Sequence, residues 1–183
     1  MTTDYEHPIL DHHGPWTLTD VMALPEDTFQ RVELVDGSLL VSPSGTYPHQ
    51  LVLGSITMAL SRASPVGWEA LPGANVLLSP VRMLIPDFTV NVAGADGSLL
   101  PAADLVVAGE VLSPSCSVND LVLKRKLYAE AGVPFYLVVD PKDGEVTATM
   151  FEWEAGEYVE SARSEGGVLT LTRPFPVTIE LSP

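Results

Sequence analysis

Two apolar runs lie on either side of a helical segment in the second half of this chain, and a carboxylate interrupts the first of them. Phe135 to Val139 is an unbroken apolar stretch, the pattern of a strand covered by protein on both faces. Leu105 to Leu112 reads Leu-Val-Val-Ala-Gly-Glu-Val-Leu, a second apolar strand in which a purely structural role would favour another apolar residue in place of Glu110. Between the two runs, Ser113-Pro-Ser is a capping region and about Val118 to Ala131 a helix. Gly132 closes that helix at the left-handed C-terminal position, and Pro134 enforces the stop.

The remaining segments extend the same architecture. Thr17 to Leu24 reads as a short helix with Thr17 or Thr19 as its cap and Pro25 at its end. Arg31 to Val35 and Ser38 to Val41 form a hairpin about Asp36-Gly37, because an Asp-Gly turn supplies positive φ. Ser42 to Pro48 is a loop by composition and delivers His49 to the start of a helix reaching Ala63, whose apolar residues Val52, Ile56, Ala59 and Leu60 recur at helical spacing. Short extended pieces follow at Ala74 to Leu78, Val81 to Ile85 and Phe88 to Val92, and further strands at Glu145 to Trp153, Tyr158 to Ala162, Val168 to Leu171 and Val177 to Leu181. No repeat or linker divides the 183 residues. The expectation is an α/β (α+β) fold, a mixed sheet flanked by helices with extra antiparallel C-terminal strands. One domain covers residues 16–183 behind a flexible segment, 1–15.

Composition limits the function classes. Twenty-four acidic against nine basic side chains give a net charge of −15, which opposes a general basic field that grips phosphate backbones. No apolar run reaches the roughly 18 residues of a membrane span, and the N-terminus lacks a signal peptide's basic start. The single cysteine, Cys116, reads as a small turn residue and points to a reducing cytoplasm. Phosphate loops, dinucleotide fingerprints, nucleophile elbows and paired histidines at helical spacing are all missing from the sequence. His12 and His13 read as a solvated pair. Trp16, Trp68 and Trp153 read as packing groups, since no basic residues interleave with them.

What remains is a set of carboxylates with basic residues nearby. Asp87 begins a strand after Pro86, and Glu110 lies near the end of another. If those strands pair, the two converge at one sheet edge, where water and phosphate could complete an octahedron around Mg²⁺. Taken alone, the two positions are more simply explained by a turn aspartate and a water-facing glutamate. Lys124-Arg125-Lys126 lies within the second long helix, where Lys124 and Tyr128 share a face, so one can pack while the other reaches the sheet edge. A lysine there could stabilise charge developing on phosphorus, or merely complement the helix dipole. Glu33 alternates with Val32 and Leu34, which makes solvent its default environment. His49 could cap its helix or meet a phosphate at the positive dipole end.

Taken together, Arg31-Val-Glu-Leu-Val-Asp-Gly37, His49-Gln50, Ile85-Pro-Asp87, Glu110-Val-Leu-Ser-Pro-Ser115, Asp120 with Lys124 and Tyr128, Ala131-Gly-Val-Pro134, Tyr136-Leu-Val-Val-Asp140 and Pro174-Phe-Pro-Val-Thr178 resemble the Uma-two family of restriction endonucleases within the PD-(D/E)xK nuclease superfamily. The resemblance runs from about Trp16 to Leu181. It implies a restriction-endonuclease-like core and a Mg²⁺-dependent endonuclease, with Mn²⁺ as a substitute, hydrolysing DNA through a metal-activated water. Asp87 and Glu110 become metal ligands, Glu33 takes the place of the family's N-terminal acidic residue, and His49 that of its histidine, contacting substrate. The superfamily lysine is expected two residues after the glutamate, where this chain has Leu112. Lys124 takes that role from the following helix, with Lys126 as the fallback. Alternatives are a catalytically degenerate binding or regulatory module, or a nuclease acting on RNA or small nucleotides. The partner the resemblance implies is DNA; separately, the apolar composition leads to the expectation of a homodimer, and no membrane is expected.

Overall fold

A computed structural model describes residue 9 and residues 12–25, 30–94, 97–113, 118–141 and 145–181. The expected turn at Cys116 and most of the expected N-terminal segment, 1–15, lie outside the described residues. The first helix, α1 (Leu18–Met22), begins in a reciprocal capping box, Thr17 accepting from the Asp20 backbone N–H while the Asp20 carboxylate accepts from the Thr17 N–H. The hairpin of β1 (Gln30–Val35) and β2 (Ser38–Pro43) turns at Asp36 and Gly37, with φ of 49° and 84°. The central helix α2 spans Tyr47–Ala63. It starts two residues ahead of His49 because Pro48 is tolerated in a first turn, where no intrahelical N–H bond is lost.

Next come β3 (Trp68–Pro72), β4 (Val76–Ser79), β5 (Arg82–Leu84), β6 (Phe88–Val92), β7 (Leu100–Pro101), a 3₁₀ turn at Ala102–Asp104 and β8 (Leu105–Val111). Helix α3 (Val118–Glu130) leads to β9 (Phe135–Asp140), β10 (Thr147–Glu154), β11 (Glu157–Arg163), β12 (Val168–Leu171) and β13 (Val177–Glu180). Strand β3 carries no clear alternation and was not expected from the sequence. It is recruited as the edge partner of β6.

Six strands form the main sheet in the order β11-β10-β9-β8-β6-β3. The two apolar runs, β8 and β9, are adjacent and parallel at its centre, as a strand–helix–strand crossover requires, and every other neighbouring pair is antiparallel. Five strands form a second sheet, β2-β1-β5-β4-β7. Of the C-terminal strands, β10 and β11 extend the main sheet, whereas β12 and β13 form a separate antiparallel pair.

Alternation along the central strands divides the core into two layers. Val107, Leu137, Val139 and Met150 pack with Val52, Ile56 and Leu60 of α2 and with Leu169 and Ile179 of the β12–β13 pair. Ala108, Tyr136 and Tyr158 face the opposite way, against Leu127 and Tyr128 of α3 and Val76 and Leu84 of the second sheet. Glu110, two residues on from Ala108, therefore points to the α3 side. The architecture is the expected one, a mixed sheet flanked by helices. Its tryptophans serve packing, Trp68 edge-on to Phe175 and Trp153 donating from Nε1 to the Ala129 carbonyl at 2.9 Å. His12 departs from the solvated reading, since its ring stacks on Trp16 with centroids 3.7 Å apart. Among the described residues no helix is long and apolar enough to cross a membrane.

Candidate active site

Four elements bring their charged side chains to one cavity. Asp87 ends the connection into β6, Glu110 sits near the end of β8, Glu33 projects from β1, and Lys124 reaches across from α3. Each carboxylate is buried, with only 3% of Glu33, 4% of Asp87 and 8% of Glu110 exposed. A buried, unpaired carboxylate costs several kcal/mol, so the partners of each matter.

Lys124 Nζ lies 3.0 Å from Glu33 Oε1 and 3.1 Å from Glu110 Oε1, bridging two strands of different sheets. Glu33 Oε1 also accepts the Ile85 backbone N–H at 2.7 Å. This corrects the solvent default for Glu33: opposite Val32 and Leu34 it meets the Ile85 N–H and Lys124 of α3 instead of water. Tyr128, one turn beyond Lys124, is fully buried and donates its hydroxyl to Glu110 Oε1 at 3.2 Å. Both residues of that helix face thus converge on Glu110, one with a charge and one with a neutral donor.

Asp87 is held on both oxygens. Oδ2 accepts the Val111 backbone N–H at 2.7 Å and lies 3.2 Å from His49 Nε2, while Oδ1 is paired with the Arg31 guanidinium. His49 is the third residue of α2 and caps nothing. Its ring is buried against Gly45, where a Cβ would fall 2.3 Å from Nδ1, and Nδ1 has no hydrogen-bond partner. Arg31 was not singled out from the sequence as a functional group. The available signal was its position two residues before Glu33, which places both on one face of β1.

Electrostatics separate the two metal-ligand candidates. Burial lifts the Glu110 carboxyl to about 7, against the opposing pull of Lys124, and Asp87 and Glu33 nearby push the same way as burial. Asp87 is held below the ordinary aspartate range: burial raises it, but the His49 hydrogen bond, the Arg31 charge and the Val111 N–H together outweigh that. Burial disfavours the Lys124 ammonium, yet Glu110 and Glu33 hold its pKa above the usual lysine value. The Tyr128 hydroxyl is kept protonated by burial and by the adjacent Glu110.

Arg31, Glu33, His49, Asp87, Glu110 and Lys124 all line one cavity of about 440 Å³. Leu112, where the resemblance led to the expectation of a lysine, lines it too and brings no charge. Lys126 lies elsewhere, 72% exposed and 3.7 Å from Glu130, outside the cavity lining. Among the described residues no three Asp, Glu, His or Cys side chains form a ready-made metal cage. Asp87 and Glu110 nonetheless present the hard oxygen donors that suit Mg²⁺, which commonly takes one or two carboxylates and keeps its other positions for water and phosphate. The donor chemistry fits that ion.

This mixed sheet flanked by helices is a restriction-endonuclease-like fold. A crystal structure from Anabaena variabilis ATCC 29413, described as a putative nuclease belonging to DUF820, superposes with a TM-score of 0.70 at 16% identity, covering 87% of this chain and 90% of the other. Residues 18–183 match the Uma2 family, described as "Putative restriction endonuclease", and the chain belongs to that family. No curated protein matches the sequence.

Proposed function

We propose that this protein is a Mg²⁺-dependent endonuclease that hydrolyses DNA phosphodiester bonds at the cavity between β1, β6, β8 and α3. The observation that carries the reading is that buried Glu33, Asp87 and Glu110 line one cavity together with Lys124, which bridges Glu33 and Glu110. Three buried carboxylates from separate elements are a costly way to build a core, and two of them, Asp87 and Glu110, supply oxygen donors suited to a divalent cation. Asp87 and Glu110 would hold the ion, which when bound supplies Lewis-acid activation of water and neutralisation of phosphate charge.

The remaining residues prepare that chemistry. His49 and the Val111 N–H orient Asp87, and the Tyr128 hydroxyl orients Glu110. Lys124, held by Glu33 as well as Glu110, presents an ammonium where negative charge grows on the phosphoryl oxygens as the water attacks. The lysine thus reaches the site from α3 and not from the position after Glu110. A net charge of −15 leaves substrate capture to the bound cation and to local basic groups, and favours weak binding.

Asp87→Asn tests this reading. Cleavage of plasmid and linear DNA in Mg²⁺ should fall by at least about a hundredfold while circular dichroism retains the wild-type fold. Full Mg²⁺-dependent activity in the purified, folded variant would overturn the assignment. Parallel RNA and dinucleotide substrates decide the polymer class.

A further inference from the structure

Asp87 is gripped differently on its two oxygens. Oδ2 is held by donors that stay in place, the Val111 N–H fixed in β8 and the buried His49 ring. Oδ1 is held by Arg31, whose side chain is 22% exposed while that of Asp87 is buried. Both residues line the cavity. Oδ1 is therefore the oxygen that an incoming cation meets, and a guanidinium already stands there. Lys124 is engaged with Glu33 and Glu110, which leaves Arg31 as the positive side chain that balances Asp87.

We propose that Arg31 is a two-position side chain. It neutralises Asp87 while the site holds no divalent cation, and when the cation takes Oδ1 it turns its guanidinium to a nucleic-acid phosphate in the same cavity. The proposal rests on the nuclease reading above. A divalent cation and a guanidinium repel each other at one carboxylate oxygen, so loading the site must release Arg31. Its planar fork of donors matches phosphate bidentately, which a lysine does not. The displaced side chain stays on β1 beside the site, with no need for the backbone to move.

The consequence is a pair of opposite effects. Mn²⁺ is titrated calorimetrically into wild type and Arg31→Met, with thermal melts to establish folding, and cleavage is measured at saturating metal. Arg31→Met should bind Mn²⁺ about tenfold more tightly, because a charged hydrogen bond no longer competes, yet cleave about a hundredfold more slowly. A purely structural ion pair predicts instead that metal affinity and rate fall together. Equal or weaker Mn²⁺ affinity in the variant overturns the displacement, and undiminished turnover overturns the phosphate contact; in either case metal binding by wild type leaves the nuclease reading standing. No Mn²⁺ binding by either protein overturns both. If Arg31→Met does not fold, Arg31→Gln, which also removes the charge, makes the same comparison, with the same expected rise in Mn²⁺ affinity and fall in cleavage.

Discussion

Phe88 lies opposite Gly109 across the β6–β8 ladder, its ring so close that a Cβ on residue 109 would fall 2.1 Å from the ring carbons. Asp87 and Glu110 flank this pair on the same side. The absence of a side chain at residue 109 therefore lets the two strands meet in the register that carries both carboxylates to one end of the sheet.

Gly109→Ala should destabilise the protein by about 1–3 kcal/mol, the usual cost of overpacking a full core. Phe88→Leu in the same chain should recover part of that loss by making room for the methyl group. Urea unfolding midpoints measure both. An alanine variant that unfolds at the wild-type midpoint would show that the ring yields without strain.

Lys124 and Lys126 are two residues apart and should behave oppositely. Lys124→Met leaves Glu33 and Glu110 facing each other without their shared ammonium, and breaking such a buried pair costs about 3–5 kcal/mol. Glu33→Gln added to it should restore some stability but not cleavage. Lys126→Ala removes an exposed helix pair with Glu130 and should change stability by no more than about 0.5 kcal/mol, leaving metal binding intact. Comparable activity losses in the two single variants would return Lys126 to consideration.

The metal-free protein should lose stability as pH rises from about 5 to about 7. Glu110 titrates near 7 in the folded chain and has an ordinary value of 4.5, so folding favours its protonated form. That contribution is complete below the unfolded value and is lost as pH climbs through the folded one, at no more than about 1.4 kcal/mol per pH unit. Asp87 has the opposite sign: its lowered pKa gives stability that is present above its ordinary value of 3.8 and lost as pH falls below it. Denaturation across this range should show the upper slope in wild type and not in Glu110→Gln. Divalent-ion affinity should rise with pH up to about 7 as Glu110 gives up its proton.

Much of the fold is legible locally. The Asp36-Gly37 turn, the Gly132 stop with φ of 71°, and the two apolar runs each depend on neighbouring residues, because backbone sterics and burial periodicity act over a few positions. The partners were harder to read. Glu33 alternates away from Val32 and Leu34, which says that it faces the other side of β1 but not that the Ile85 N–H and Lys124 of α3 meet it there. Strand β3 exists because β6 offers it an edge, and its own pattern gives little sign of it. Arg31 and Asp87 are separated by 56 positions, and no local pattern joins them.

By itself, then, the sequence determined the class of fold, the order of its elements and the carboxylates and lysine worth watching, since turn chemistry, capping and hydrophobic periodicity are short-range. Tertiary structure decided which of those groups meet. It buried Glu33, turned Lys124 inward and Lys126 outward, and set Arg31 on Asp87. The physical reason is that a charge's environment depends on what the rest of the chain packs against it, and in this protein the sheet register, the α3 crossover and the second sheet make that choice.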